Sequence, residues 1–390
     1  MKQSESMAIV QEIMAEFAEM TGLAPTSLPR RYLWTDSFAV CNFLGLYQQT
    51  GDVKYKELAV RLVEQVHYIL GRHREDDRRT GWISGLSERE GKAHPTIGGL
   101  RIGKIMNERT PSDRFDERLE WDRDGQYYHY LTKWMHALNR VSWVTGDPIY
   151  NIWAMELAKT THAKFTYLPL YGGQKQMFWK LSIDLSYPLV TSMGHHDPLD
   201  GLITYNQLQA TFHDYFRKSI SPDLTAEIAD MAEICQGKSW TTDDPLGIGE
   251  LLCGTYKVAQ LNAGRSVIQP DLTEVLLSSS QPGLKSFSKK NPMKLPADYR
   301  LAFRELGLSI GLHAAERLKG LIRKNPGHPD KDHQLNTRIE TLTQFLPLSE
   351  EIETFWLDTA NREGDSWTEH RDINMVMLAT SLSPDGYLTL

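Results

Sequence analysis

Two stretches of the chain, Tyr47-Gln-Gln-Thr-Gly-Asp-Val-Lys-Tyr55 and Ser142-Trp-Val-Thr-Gly-Asp-Pro-Ile-Tyr150, end one helical pattern and begin the next in the same way. In each, Tyr follows the Asp by three residues and Ala follows the Tyr by four, giving Tyr55 with Ala59 and Tyr150 with Ala154. A repeated unit of this kind constrains the architecture more than any single motif. Gly51 and Gly146 suit the left-handed conformation that stops a helix, and Asp52 and Asp147 suit the cap of the next. After the first turn Tyr55, Leu58, Ala59, Leu62, Val66, Ile69 and Leu70 share one helical face. The stretch before it, Phe38 to Tyr47, is apolar almost all round, as is Tyr127 to Val144. Each hairpin therefore pairs an inner, buried helix with an outer one that has a wet side.

The alternation continues along the chain. Inner helices are expected at Trp34–Gln49, Asp124–Val144, Phe178–Met193, Leu246–Leu261, Leu301–Leu318 and Trp367–Leu382. Outer helices are expected at Tyr55–Leu70, Ile149–Lys164, Asn206–Lys218 and Leu335–Phe345, with Met7–Met20 leading the series. Six inner helices imply a closed double ring, and 390 residues with 41% hydrophobic content can bury its core as one domain spanning 1–390. The stretch 71–123 is too long for a connector and reads as a functional insertion. The stretch 278–298, rich in Ser, Lys and Pro, reads as a mobile surface loop.

Composition excludes several classes of function. A net charge of −7, from 43 basic and 50 acidic residues, leaves no electrostatic footprint for nucleic acid. No apolar run approaches the roughly 20 residues that span a bilayer, and the first twenty residues read as an amphipathic helix rather than a signal peptide. A cytoplasmic protein is expected. Cys41, Cys235 and Cys253 are odd in number and far apart, against a disulfide framework or a thiolate zinc site.

The strings Trp34-Thr-Asp-Ser-Phe38 leading to Thr50-Gly-Asp52 and Tyr55, and Asp124-Gly-Gln-Tyr-Tyr128 leading to Thr145-Gly-Asp147 and Tyr150, resemble the six-hairpin glycosidase-like superfamily. The resemblance covers about the first half of the chain by motif and the rest by helix count. It implies an all-α fold, the (α/α)6 barrel, and a carbohydrate ligand. Members of the superfamily include glycoside hydrolases, unsaturated glucuronyl hydrolases and N-acylglucosamine 2-epimerase-like enzymes, so the reaction stays open. The resemblance also implies that the site lies above the N-terminal ends of the inner helices. Residues opening those helices become candidates: Trp34, Asp36, Asp124, Gln126, Tyr128, His129, Trp179 and Asp184 in the first half. Asp244, Glu250, Arg304, Glu305, Trp367, Glu369, His370 and Asp372 follow in the second. Carboxylates with aromatic rings are what a sugar site needs, since ring faces stack on aromatics and hydroxyls seek charged acceptors.

The first reading is glycoside hydrolysis, with Asp124 opposite Glu369 as the carboxylate pair and Asp36 beside them. Trp34, Tyr128, Arg101, Trp367, Asp184 and Glu305 are then expected to bind the substrate, a small sugar or an oligosaccharide. The alternative is epimerisation or isomerisation beside a sugar carbonyl, with His129 and His370 exchanging the proton and Arg101 stabilising the enediolate. A third reading is a barrel that binds a glycan or a partner without catalysis. Neither of the two mechanisms calls for a metal or an organic cofactor, and nothing in the pattern sets an oligomeric state.

Other motifs are expected to be structural. Gly194-His-His-Asp-Pro-Leu-Asp200 has metal-ligand composition, yet its turn aligns with Thr145-Gly-Asp147-Pro148, at the end of the ring opposite the site. Gly98-Gly-Leu-Arg-Ile-Gly103 lacks the β-α-β context of a phosphate loop. Trp134, Trp143, Trp153 and Trp179 are spaced for packing, and His136 and His313 read as core histidines.

Overall fold

The computed structural model describes residues 3–24, 28–215, 223–264, 268–269, 271–324 and 329–390. The chain runs α1 (Gln3–Met20), α2 (Leu33–Thr50), α3 (Val53–Leu70), short helices α4 (Glu88–Ala93) and α5 (Glu117–Asp122), then β1 (Gln126–Tyr127), α6 (Tyr128–Thr145) and α7 (Ile149–Phe165). Four short strands follow: β2 (Thr166–Tyr167), β3 (Gln176–Met177), β4 (Lys180–Leu181) and β5 (Pro188–Val190). The rest is helical: α8 (Asp197–Tyr215), α9 (Thr225–Cys235), α10 (Pro245–Ala263), α11 (Leu272–Lys290), α12 (Ala302–Lys324), α13 (Pro329–Thr343), α14 (Pro347–Leu357), α15 (Asp365–Thr368), α16 (Arg371–Leu382) and α17 (Asp385–Leu388).

The repeated turns form as their chemistry dictates. Gly51 and Gly146 sit at φ +72° and +74°, left-handed positions with open space around them. Asp52 accepts from the Lys54 N–H and Asp147 from the Ile149 N–H. Thr50 and Thr145 each donate to the carbonyl four residues back and accept from the N–H of the Asp. The three letters of the repeat thus stop one helix, turn the chain and start the next.

Contacts gather the chain into two compact units. In the unit Ala18–Gly237, inner helices α2, α6 and α8 pack side by side, α3 and α7 cover α2 and α6, and α9 covers α8. In the unit made of Met1–Phe17 and Lys238–Leu390, α10 packs on α12 and α12 on α16. Here α11 covers α10, while α13 and α14 cover α12. The start of α16 is tied to α1 through the Arg371–Glu16 ion pair. Three hairpins fall in each unit, so the fold is the all-α, six-hairpin (α/α)6 class that the resemblance implies.

Three expectations are corrected. The expected inner helix at Phe178–Met193 is instead β4, β5 and their turns, with β1, β4 and β5 forming one antiparallel sheet. Ser182 Oγ accepts from the Ser186 and Tyr187 N–H groups, and Asp184 caps the same turn. Such side-chain bonds compete with a helix, and Pro188 removes a donor. The third inner helix is therefore α8, and its cover is α9. The outer helix expected at Asn206–Lys218 falls on α8 instead, and positions 216–218 lie outside the described residues. Gly194-His-His-Asp consequently stands at the N-terminal mouth of an inner helix, at the end opposite to the one expected.

The third correction concerns 278–298, most of which is the helix α11. Leu272, Leu276, Leu277, Leu284 and Phe287 form its buried stripe, while Ser278, Ser279 and Ser280 turn their hydroxyls back onto carbonyls four residues earlier. Ser-rich composition mimicked a loop.

The closest helix crossing is between α10 and α12. A Cβ on Gly249 would stand 2.0 Å from the Gly307 carbonyl oxygen, and one on Gly311 2.5 Å from Gly249 Cα. Adding a methyl there forces backbone apart, whereas Gly146→Ala meets no atom and carries only left-handed strain of about 1–2 kcal/mol. We therefore expect Gly249→Ala to destabilise by about 3 kcal/mol or more, clearly beyond Gly146→Ala, in urea unfolding followed by circular dichroism.

Candidate functional site

At the mouth of α6 the sequence Asp124-Gly-Gln-Tyr-Tyr-His-Tyr130 passes from a turn through β1 into the helix. The change of periodicity sends consecutive side chains to different places. Asp124 is fully buried: Oδ1 accepts from the Gly103 and Gly125 N–H groups at 3.0 Å each, and Oδ2 from Arg101 at 2.9 Å and Arg74 at 3.5 Å. Gln126 accepts from the Leu100 N–H and donates to the Gly98 and Ile183 carbonyls. Tyr128 points into the core, where its hydroxyl donates to Tyr205.

His129, Tyr130 and Trp179 are half-buried at the mouth, and Tyr127, 3% exposed, packs behind them. Tyr127 packs on Trp179 at 5.1 Å between centroids, and His129 lies nearly parallel to Trp179 at 6.1 Å, with Tyr130 edge-on to His129 at 4.8 Å. Trp121 meets the other side of Trp179 at 5.3 Å. The hydroxyls of Tyr32 and Tyr130 are 2.8 Å apart, and the Lys104 ammonium sits 5.3 Å over the Tyr32 ring. Lys104 is half-buried, has no ion-pair partner among the described residues, and burial lowers its pKa.

His129 is the titratable centre of this wall. Its side chain is 24% exposed, and Nδ1 has no hydrogen-bond partner among the described residues, the Asp197 Oδ1 at the start of α8 being 3.8 Å away. Burial, with help from Lys133, pulls its pKa from 6.5 to about 4. Lys133 in turn is held at 3.1 Å by Asp200 of α8. The imidazole is thus neutral at physiological pH, with a ring nitrogen free to accept a proton.

The other sequence-derived candidates fall in three kinds of place. Asp36 is buried, capping the Tyr32 N–H and paired at 3.4 Å with the buried Arg31. Arg101 spends its remaining donors on the Arg72 and Ile69 carbonyls. Asp184, half-exposed, accepts from Arg79, which also grips Asp77 and Glu108. Trp34 is 5% exposed and packs on Phe38. In the other unit Glu305 is buried against Arg300 and the Trp356 indole N–H. Trp367 is 3% exposed and stacks on Trp356. Glu369 is exposed, with no side-chain partner among the described residues, and His370 lies edge-on to Phe303. Among the described residues no three or more His, Cys, Asp or Glu gather as metal ligands.

Sequence reasoning missed Tyr32 and Tyr130 as part of this mouth and set Asp197 at the opposite end of the ring. The signal available was the run of four rings, Tyr127 to Tyr130, which is more than one buried helical stripe can absorb.

No family model and no curated protein matches the chain. Among solved structures, a sugar epimerase from a ruminal bacterium aligns over 98% of both chains at 10% identity and TM-score 0.48. Cellobiose 2-epimerase from Spirochaeta thermophila aligns over 95% of this chain and 97% of its own at 14% identity and TM-score 0.47. A D-mannose isomerase aligns over 88% and 86% at 10% identity and TM-score 0.46. These are similarities of shape along most of the chain, at scores that carry no weight for function.

Proposed function

We propose that this protein is a carbohydrate-active enzyme that epimerises or isomerises a free sugar by proton transfer beside its carbonyl. The observation that supports this over hydrolysis is the contrast at the α6 mouth between His129 and the carboxylates. His129 offers a neutral, hydrogen-bond-free Nδ1 beside a wall of rings. Asp124 and Asp36 have their oxygens engaged by guanidinium groups and backbone N–H. A carboxylate so engaged holds structure well and serves poorly as an acid, base or nucleophile.

In this reading the open-chain sugar lies against Trp179, with hydroxyls near Tyr32 and Tyr130. His129 takes the proton from the carbon next to the carbonyl. The C–H electron pair becomes the enediolate double bond, and the charge that develops on oxygen is met by the Lys104 ammonium. His129 then gives its proton up to solvent, and delivery of a proton from water to the opposite face of the same carbon gives the epimer. Return to the former carbonyl carbon gives the ketose or aldose isomer. Asp124 and Arg101 act as positioning residues that hold the 71–123 insertion over the mouth. A small-molecule sugar partner and a cytoplasmic site of action belong to the same proposal.

The test is proton NMR of the enzyme with glucose, mannose and their N-acetyl forms in deuterated buffer. A new diastereomer or ketose with deuterium beside the carbonyl is expected. New reducing ends from oligosaccharides, with no deuterium entry, would return the protein to the hydrolases. His129→Gln should lower turnover by about 10²–10⁴-fold with its circular dichroism unchanged.

The pH dependence has a definite sign. Only the neutral imidazole accepts a proton, and its folded pKa is lowered from 6.5 to about 4. Activity should hold as pH falls below 6.5 and decline only towards 4, where an ordinary histidine would already be spent. Because the unfolded chain binds that proton at higher pH, stability should fall over the same window from 6.5 to 4. His129→Gln should remove its share of that slope in urea titrations.

A further inference from the structure

A cavity of about 880 Å³ opens within the unit Ala18–Gly237 against α3, α7 and the segment around α4, and it shares no lining residue with the rings of the α6 mouth. Its size is that of a small-molecule site, roughly 300–1,000 Å³. We propose that it is a non-catalytic binding site for a neutral pyranose.

Two polar groups at its lining carry the argument. Trp134 Nε1 donates to His67 Nε2 at 3.2 Å, so that nitrogen is an acceptor and the imidazole proton is on Nδ1. His67 is 4% exposed, and its ring makes no other hydrogen bond among the described residues, so it offers the cavity one N–H. Gln65 Nε2 donates to the Gly22 carbonyl, which fixes the amide's orientation and leaves Oε1, buried and without a partner, as an acceptor. A buried acceptor left unpaired costs about 1–3 kcal/mol, which a ligand hydroxyl would recover. Donor and acceptor together match a group that does both, which is a hydroxyl.

The walls match the rest of a sugar ring. Tyr150 and Trp153 meet edge to face at 5.4 Å, His67 meets Trp153 at 5.2 Å, and Tyr68 is 54% exposed with the Arg72 guanidinium over its ring. Pyranose C–H faces stack on such surfaces. Charge argues against an anion: Glu64 and Glu75 line the cavity, and Lys92 is 3.4 Å from Glu88.

The experiment is saturation-transfer NMR with methyl α-D-glucopyranoside and methyl α-D-mannopyranoside. These glycosides cannot open to a carbonyl form, so the proposed proton transfer cannot act on them and the two readings fail separately. Transfer to the ring protons is expected with the native protein and with His129→Gln alike. Tyr68→Ala and Gln65→Leu should each weaken the apparent affinity about tenfold, and the His67 Nδ1 resonance should shift on titration. No transfer at tens-of-millimolar glycoside overturns the site, as does a signal lost in His129→Gln or indifferent to both Tyr68→Ala and Gln65→Leu.

Discussion

The candidate site hangs on one buried carboxylate. Asp124 takes N–H bonds from Gly103 and Gly125 and guanidinium contacts from Arg101 and Arg74, so four separate points of backbone and side chain converge on two oxygens. Arg74 in turn donates to the Lys104 and Ile105 carbonyls. The insertion between the first two hairpins is therefore fastened at the point where Lys104 must hover over Tyr32. Charge-assisted bonds of this kind are short and directional, and a buried carboxylate satisfied by all of them is costly to unpair. Gly103 and Gly125 contribute by having no side chain: a Cβ on Gly103 would stand 2.2 Å from the Arg31 carbonyl oxygen.

How legible each part was depends on the range of the forces that shape it. The Thr-Gly-Asp turns could be read because every contact in them is local, within a few residues, and the buried faces of α2 and α3 follow a period of 3.6. The segment 178–193 could not, since its apolar content fits either a buried helix or short strands. What decided it was the hydroxyl bonding of Ser182 and the pairing of β4 with β1, a partner some fifty residues away. That one error displaced the register of the third hairpin and moved His195, His196 and Asp197 to the wrong end of their helix.

The site shows a second limit. Sequence reasoning could place carboxylates at helix mouths but not say which were already engaged. Asp36 and Glu305 each have an arginine five positions away, Arg31 and Arg300, and both pairs are buried. Trp34 and Trp367 stand at mouths yet are packed into the interior. The residues left with half-buried rings at the mouth, His129, Tyr130 and Trp179, come from stretches whose composition reads equally well as core.

The grouping of residues also orders events during synthesis. The unit Ala18–Gly237 is one continuous stretch, and it can collapse as soon as that stretch has left the ribosome. The other unit draws its first helix from before that stretch and the remainder from after it. The apolar stripe of α1, with Val10, Ile13, Met14 and Phe17 all buried in the finished protein, must then wait uncovered while more than two hundred residues are added. The contact it then makes joins segments more than two hundred residues apart in the sequence, which makes it the slowest to close.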